Sequence, residues 1–231
     1  MPIIRSFVYF WASERSLSIF LFLLTVVVFF ISPIQDMTSH ESIILQIIFA
    51  LLLVSGVISV SRSWFSILSS SIITTSAVLV HVATFLYPQY HYLPVVDVLL
   101  TTFVLGIFSL MLFARVIRPG PASRHRVQGA IAIYLLLALF WAHMYTLIEL
   151  LNPGAFKFYD LSELGPVTAE NLIRTFIYYS IITLTTVGYG DIIPIAPLAR
   201  SFASAEAFTG QLFPVVLIAR LVASDLAHRK T

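Results

Sequence analysis

The chain has no cysteine, which excludes disulfides and thiolate metal sites and leaves the redox compartment open. Charge is also scarce: Asp, Glu, Lys and Arg make up 10% of its 231 residues, against about 25% in soluble domains. With 59% apolar residues, that scarcity excludes a soluble globular protein and a nucleic-acid surface. What remains is an integral membrane protein whose surroundings are lipid. The net charge of +2 is small, and where the charges fall matters more than their sum. The chain also lacks a nucleophile–base constellation, a phosphate-cradling loop and metal-ligand spacing. It therefore reads as neither an enzyme nor a binder of a soluble small-molecule substrate.

What the chain has is long apolar runs. Crossing a hydrocarbon core of about 30 Å takes about 20 apolar residues in a helix. Six stretches qualify: 17–34, 42–61, 64–86, 95–117, 127–151 and 198–227. The segment 1–15 carries Arg5, Tyr9, Trp11 and Arg15 and suits an interfacial helix. A cleaved signal peptide is the rival reading, but Ser32-Pro33-Ile34-Gln35 lacks the small-x-small cleavage pattern. Only Arg62 and Ser63 separate the second and third spans, so these should form a tight hairpin. The tyrosines and prolines of Tyr87-Pro88-Gln89-Tyr90-His91-Tyr92-Leu93-Pro94 fit a loop in the interfacial aromatic belt. Pro119-Gly120-Pro121 stops the fourth span, because proline cannot donate to the helical ladder. That break divides the chain into a four-span domain, 1–122, and a second domain, 123–231.

The fifth span ends at Asn152-Pro153-Gly154, and a polar loop with Asp160 and Glu163 follows to Val167. Thr168 can cap a helix over 169–184, with Glu170 near its positive end. At about 24 Å this helix is too short to cross and must enter the membrane and turn back. With both termini cytoplasmic, six crossings put Arg5, Arg15, Arg62, Arg115, Arg118, Arg124, Arg126, Arg220, Arg229 and Lys230 inside. Lys157, Arg174 and Arg200 remain outside, which obeys the positive-inside rule.

Directly after the short helix comes Thr185-Thr186-Val187-Gly188-Tyr189-Gly190-Asp191. Carbonyls can be aimed repeatedly at one axis only if the backbone visits conformations that side chains resist, and Gly188 and Gly190 supply that freedom. The stretch resembles the selectivity filter of the potassium channel family, in which four threonine-valine-glycine-tyrosine-glycine loops replace the water around the ion with backbone carbonyls. The resemblance covers roughly residues 128–227; upstream it is one of layout only. It implies an all-α membrane protein of six transmembrane helices, with a re-entrant pore helix and filter loop. In that reading 123–231 is the pore domain, potassium is the permeant ion, and the cell membrane is the location. Thr186, Val187, Gly188, Tyr189 and Gly190 would hold the ion through their carbonyls and the Thr186 hydroxyl, with Val187 and Tyr189 bracing the ring. One filter per chain implies a homotetramer. The short helix would aim its negative end at the cavity.

Further residues gain candidate roles. Asp191 matches the family's outer-mouth aspartate and, with Asp160, Glu163 and Glu170, would make the entrance acidic. The family often pairs that aspartate with a pore-helix carboxylate; here the matching position is Ile182. Gly210 matches the family's inner-helix hinge, and Pro214 removes the amide that would bond the carbonyl of 210, so a bend is expected. Close packing on the pore helix is the other reading of Gly210. Glu206, an acid in an apolar span, should face protein behind the filter, against Thr183 or Tyr178, with a role in gating as the sharper reading. Gln211 is a candidate for the cavity wall. His81, His143 and Asp97 read as satisfied buried or interfacial groups.

Residues 98–114 hold no basic residue, so the fourth span lacks the arginines of a voltage sensor. Arg115, Arg118, Arg124 and Arg126 read as membrane-surface anchors. The sequence ends at Thr231, soon after the sixth span, and the expectation is that gating acts through spans, lipid, filter or partner rather than a cytoplasmic ligand domain. The alternatives are a non-selective cation channel, a sensor or assembly subunit with a non-conducting pore, and a coupled transporter. The last lacks an inverted repeat.

Overall fold

The computed structural model describes residues 14–34, 41–60, 64–87, 89–90, 92–118, 124–159 and 168–228. Seven helices are described: α1 (Glu14–Ile34), α2 (Glu41–Val60), α3 (Trp64–Leu86), α4 (Leu93–Val116), α5 (Arg124–Leu151), α6 (Ala169–Leu184) and α7 (Pro197–His228). Two short strands, β1 (Phe156–Phe158) and β2 (Ile192–Pro194), flank α6. The bounds of α3 and α6 are those expected, and the other helices differ from expectation by three residues or fewer. The differences have a simple origin. Hydropathy marks the apolar stretch, whereas α1 and α5 continue into the charged turns Glu14-Arg15-Ser16 and Arg124-His125-Arg126. The expected interfacial segment before Glu14, Gln35, Arg62 and Ser63, Pro88 and His91, the Pro119-Gly120-Pro121 break, the Asp160 and Glu163 loop, and Arg229 and Lys230 lie outside the described residues.

Among the described residues, four helices are long and apolar enough to cross a membrane: Ile67–Leu86, Leu93–Val116, Arg124–Leu151 and Pro197–Arg220. Shorter apolar helices, Ser16–Phe30 and Ile47–Ser59, lie within α1 and α2. The outward faces agree with a lipid surround. Phe22 and Phe29 on α1, Ile72 and Leu79 on α3, and Leu110 on α4 are all exposed, large apolar side chains of the kind a lipid surround accepts. The chain is an integral membrane protein.

The centre of the molecule is α5, which packs against α1, α4, α6 and α7. Ala130, Ala132, Ala138 and Ala142 are all buried along it, and small side chains let neighbouring helices approach closely where lipid offers no hydrophobic drive. Phe20 and Leu24 of α1, Leu105 and Phe108 of α4, and Leu136 and Leu139 of α5 form the heart of this core. Of the first four helices, α1 and α4 pack directly on α5, while α2 packs on α1 and α3 on α4.

At one end of α5 the segment expected as a plain polar loop contains a strand. β1 pairs antiparallel with β2, Phe156 opposite Pro194 and Phe158 opposite Ile192. Glu149 organises the turn before it, its carboxylate accepting from the Gly154 amide (2.7 Å) and the Phe156 amide (3.0 Å). Phe156 then inserts between α5 and α6, with ring centroids 5.4 Å from Tyr145 and 4.7 Å from Phe176. Aromatic pairs at such distances add about 0.5–1.5 kcal/mol each beyond their buried area. The ribbon thus ties the chain leaving α5 to the chain following Gly190.

Candidate functional site

The short helix α6 is fixed at both ends. Thr168 adopts extended backbone and its hydroxyl accepts from the Asn171 amide (3.3 Å), satisfying an amide that the first helical turn leaves open. Glu170 sits in that first turn and pairs with Arg174 at 2.7 Å. At the other end the amides of Thr185, Thr186, Val187 and Gly188 all fold back onto the carbonyls of Ile181, Ile182 and Thr183, at 2.8–3.1 Å. The Leu184 carbonyl instead accepts from the Tyr134 hydroxyl of α5 (3.1 Å).

Beyond α6 the backbone alternates. Thr186 (φ 62°), Gly188 (φ 54°) and Gly190 (φ 80°) lie in the left-handed region, and the intervening Val187 and Tyr189 do not. For a β-branched residue such as Thr186 this is a strained conformation, held in place by its surroundings. Asp191 follows and is pinned on three sides. The Tyr178 hydroxyl donates to its Oδ2 (2.7 Å), the Ile192 amide donates to its Oδ1 (3.1 Å), and its own carbonyl accepts from the Tyr159 amide (3.0 Å). Burial and the Asp191 carboxylate push the Tyr178 phenol up to about 12, so it is a donor at neutral pH. The ribbon and the Tyr178–Asp191 bond together anchor the exit of the Thr186–Gly190 segment. Val187 and Tyr189 are 52% and 72% exposed in the single chain.

α7 passes directly behind the end of α6. A Cβ at Gly210 would stand 2.0 Å from the Leu184 carbonyl oxygen, so only glycine permits this approach. Gln211 Nε2 lies 3.4 Å from Thr186 Oγ1. α7 continues as one helix through Pro214.

Two comparisons bear on this arrangement. The family model described as "Ion channel" matches residues 133–224, the part of the chain that contains α6, the glycine segment and most of α7. "Protein LctB" of Bacillus caldotenax is 33% identical over 100 residues, which cover 42% of this chain and 69% of that relative. The chain belongs to this ion channel family. No solved structure matches it. The channel is accordingly not an enzyme.

The buried acid of the channel finds partners other than those expected. Glu206 is fully buried, and it receives hydrogen bonds from Tyr145 Oη and Ser180 Oγ, each at 2.5 Å, rather than from Thr183 or Tyr178. The register of α6 explains the change: Ser180 faces α7 and α5, while Tyr178, two residues earlier, faces Asp191. Ser180 Oγ also lies 2.8 Å from the Ala138 carbonyl of α5. One carboxyl therefore joins α5, α6 and α7 behind the glycine segment. Ile182 is buried and offers only its backbone carbonyl, to the amides of Val187 and Gly188.

The remaining polar residues fall away from this site. His81 Nδ1 pairs with Asp97 Oδ2 at 2.8 Å between α3 and α4. The buried His143 donates through Nδ1 to the Leu139 carbonyl (2.8 Å) and stacks on Phe49. Among the described residues no group of His, Cys, Asp and Glu could hold a metal ion through side chains. Sequence reasoning missed the roles of Tyr134, Tyr145, Ser180 and Glu149. An apolar helix with scattered hydroxyls carries no signal that says which of them faces a partner. The arginines near the α4–α5 junction bind backbone: Arg115 Nη1 donates to the Ser59 carbonyl (2.8 Å), Arg220 Nε to that of Ile117 (2.8 Å), and Arg126 to those of Val116 and Arg118. Cations here complement the negative ends of α2 and α4.

Proposed function

We propose that the channel is a passive, potassium-selective pore built from four copies of the chain around one axis. The observation that carries this reading is the alternation of left-handed Thr186, Gly188 and Gly190 with Val187 and Tyr189. Backbone of alternating hand turns successive peptide planes the same way, so consecutive carbonyls line one side of the segment. A row of carbonyls from each of four chains is what replaces the hydration shell of potassium. Irregular backbone at membrane depth is tolerated where it lines water or is buried in protein, and both the ribbon and Glu206 supply the protein support. In this reading α6 is the pore helix and Thr186–Gly190 the filter. Potassium is held by the backbone of Thr186, Val187, Gly188, Tyr189 and Gly190, with the Thr186 hydroxyl at the inner end.

The exposed Val187 and Tyr189 favour four copies, since their packing partners must come from neighbouring chains. α1 to α5 and α7 make six crossings with both termini cytoplasmic, and the cell membrane is the location. Asp191 stands at the outer mouth, and Gly210 and Pro214 belong to the inner helix. α1 to α4 form a charge-poor domain beside the pore domain, with weak voltage dependence because α4 lacks arginines before Arg115. The test is potassium flux into liposomes holding purified protein. Uptake driven by the potassium gradient alone, and lost in Gly188→Ala, supports the reading. Uptake that needs a coupling ion, or silence at every pH and voltage, overturns it.

A further inference from the structure

An apolar crevice of about 290 Å³ runs between the end of α4 and α7. Phe113 and Val116 form one wall, and Leu212, Phe213 and Val216 form the other. From Phe208 to Arg220 the α7 wall covers about 18 Å at 1.5 Å per residue. That is close to one leaflet of a hydrocarbon core about 30 Å thick. The crevice opens sideways, for Phe208 and Val216 are exposed. At its end stands Arg220, whose Nε is engaged by the Ile117 carbonyl. Its Nη groups have no partner among the described residues, and Arg118, next to Ile117 in the chain, is exposed.

We infer that this crevice binds one anionic phospholipid per chain, an acyl chain filling the apolar slot and the headgroup phosphate meeting Arg220 and Arg118. The charge argument chooses the lipid class. A zwitterionic lipid could fill the slot equally well, but two cationic side chains favour a net negative headgroup, because the choline cation of a zwitterionic lipid offsets the phosphate charge that an anionic lipid keeps. Basic pockets between helices on the cytoplasmic side are suited to acidic headgroups. The inference rests on the orientation given under Proposed function, which puts these arginines at the inner face. Its consequence is a link between the two domains. The lipid touches α4 on one side and the inner part of α7 on the other, so binding favours whichever arrangement keeps the two helices together.

The test is lipid retention. Full-length channel is reconstituted in nanodiscs of phosphatidylcholine with a minor share of phosphatidylglycerol, then released into neutral detergent and weighed by native mass spectrometry. One phosphatidylglycerol per chain, retained in preference to phosphatidylcholine, is the expected result. Arg118→Gln with Arg220→Gln should reduce that preference by roughly thirty-fold. Arg118→Lys with Arg220→Lys keeps the charge and should retain most of it, which separates lipid binding from loss of fold. Val216→Trp should fill the slot and lower retention of both lipids. Equal retention of the two lipids by the wild type, or an unchanged preference in the glutamine pair, overturns the inference. So does a cysteine at Val216 that cross-links to a second copy, since a neighbouring chain would then fill the crevice. Retention needs no open pore, so a conducting channel without lipid preference sinks this inference alone, and a silent one with the preference sinks only the pore reading.

Discussion

Gly210→Ala places the sharpest demand on the packing behind the Thr186–Gly190 segment. The added Cβ would sit 2.0 Å from the Leu184 carbonyl oxygen, 2.8 Å from its carbon and 2.9 Å from its Cα. All three are backbone atoms, so no side chain can swing away. Ordinary contact begins near 3.4 Å, so α6 and α7 must separate by about 1.4 Å. Overpacking of this kind costs about 1–3 kcal/mol, and the rigid backbone on both sides puts the cost near 3. The displaced carbonyl is the acceptor of the Tyr134 hydroxyl, whose bond contributes about 1 kcal/mol. Together these come to about 4 kcal/mol, which in a soluble chain of this length lowers Tm by about 8–16 °C. The assay is a melting curve of the purified protein followed by fluorescence-detected gel filtration, with potassium flux measured beside it. Loss of both thermal stability and flux is expected, because Leu184 lies just before the segment proposed to conduct. If Gly210 serves only as a gating hinge, alanine changes the flux and leaves the melting point in place. That result would refute the packing argument.

Four further outcomes follow from the same geometry. Glu206→Ala strands the buried hydroxyl of Tyr145, at about 1–3 kcal/mol, while that of Ser180 still reaches the Ala138 carbonyl; Glu206→Gln keeps an acceptor and should be milder, and equal melting temperatures for the two variants would contradict this. Tyr178→Phe removes the donor to Asp191 and should reduce the potassium-to-sodium permeability ratio; an unchanged ratio counts against the brace. The Tyr178 phenol is raised to about 12, so its neutral form is favoured by folding. The bracing should therefore be constant through neutral pH and fade as pH rises from about 10 to 12, which Tyr178→Phe should abolish in an alkaline flux titration. Arg115→Gln with Arg118→Gln should leave the steepness of the conductance–voltage curve nearly unchanged, since these side chains lie at the end of α4, and a marked flattening would assign them gating charge.

The helices were legible because apolar length and punctuation act locally. Trp64 and Leu86 bound α3 where the apolar run begins and ends, and Thr168 announces α6 through its own hydroxyl. The glycine segment was legible because its backbone demands glycine at fixed spacing. The ribbon was not: three residues around Lys157 have no alternation to read, and their pairing with Ile193 spans the whole of α6 in sequence. The partners of Glu206 were hidden for a related reason. Whether Ser180 or Thr183 faces α7 depends on the rotation of α6, and that rotation is set by Phe176 and Tyr179 packing on Tyr145 and Phe156. Asp191 told the same story. Its place after the glycine segment was evident, yet its partner is a tyrosine thirteen residues earlier instead of an acid.

The central claim is selectivity for potassium, and reversal potential tests it most directly. Purified channel in a planar bilayer, with potassium on one side and sodium on the other, should reverse near the potassium equilibrium potential, and Gly188→Ala should abolish that current. A reversal near zero with a sizeable conductance would contradict the account and make the pore a non-selective cation channel.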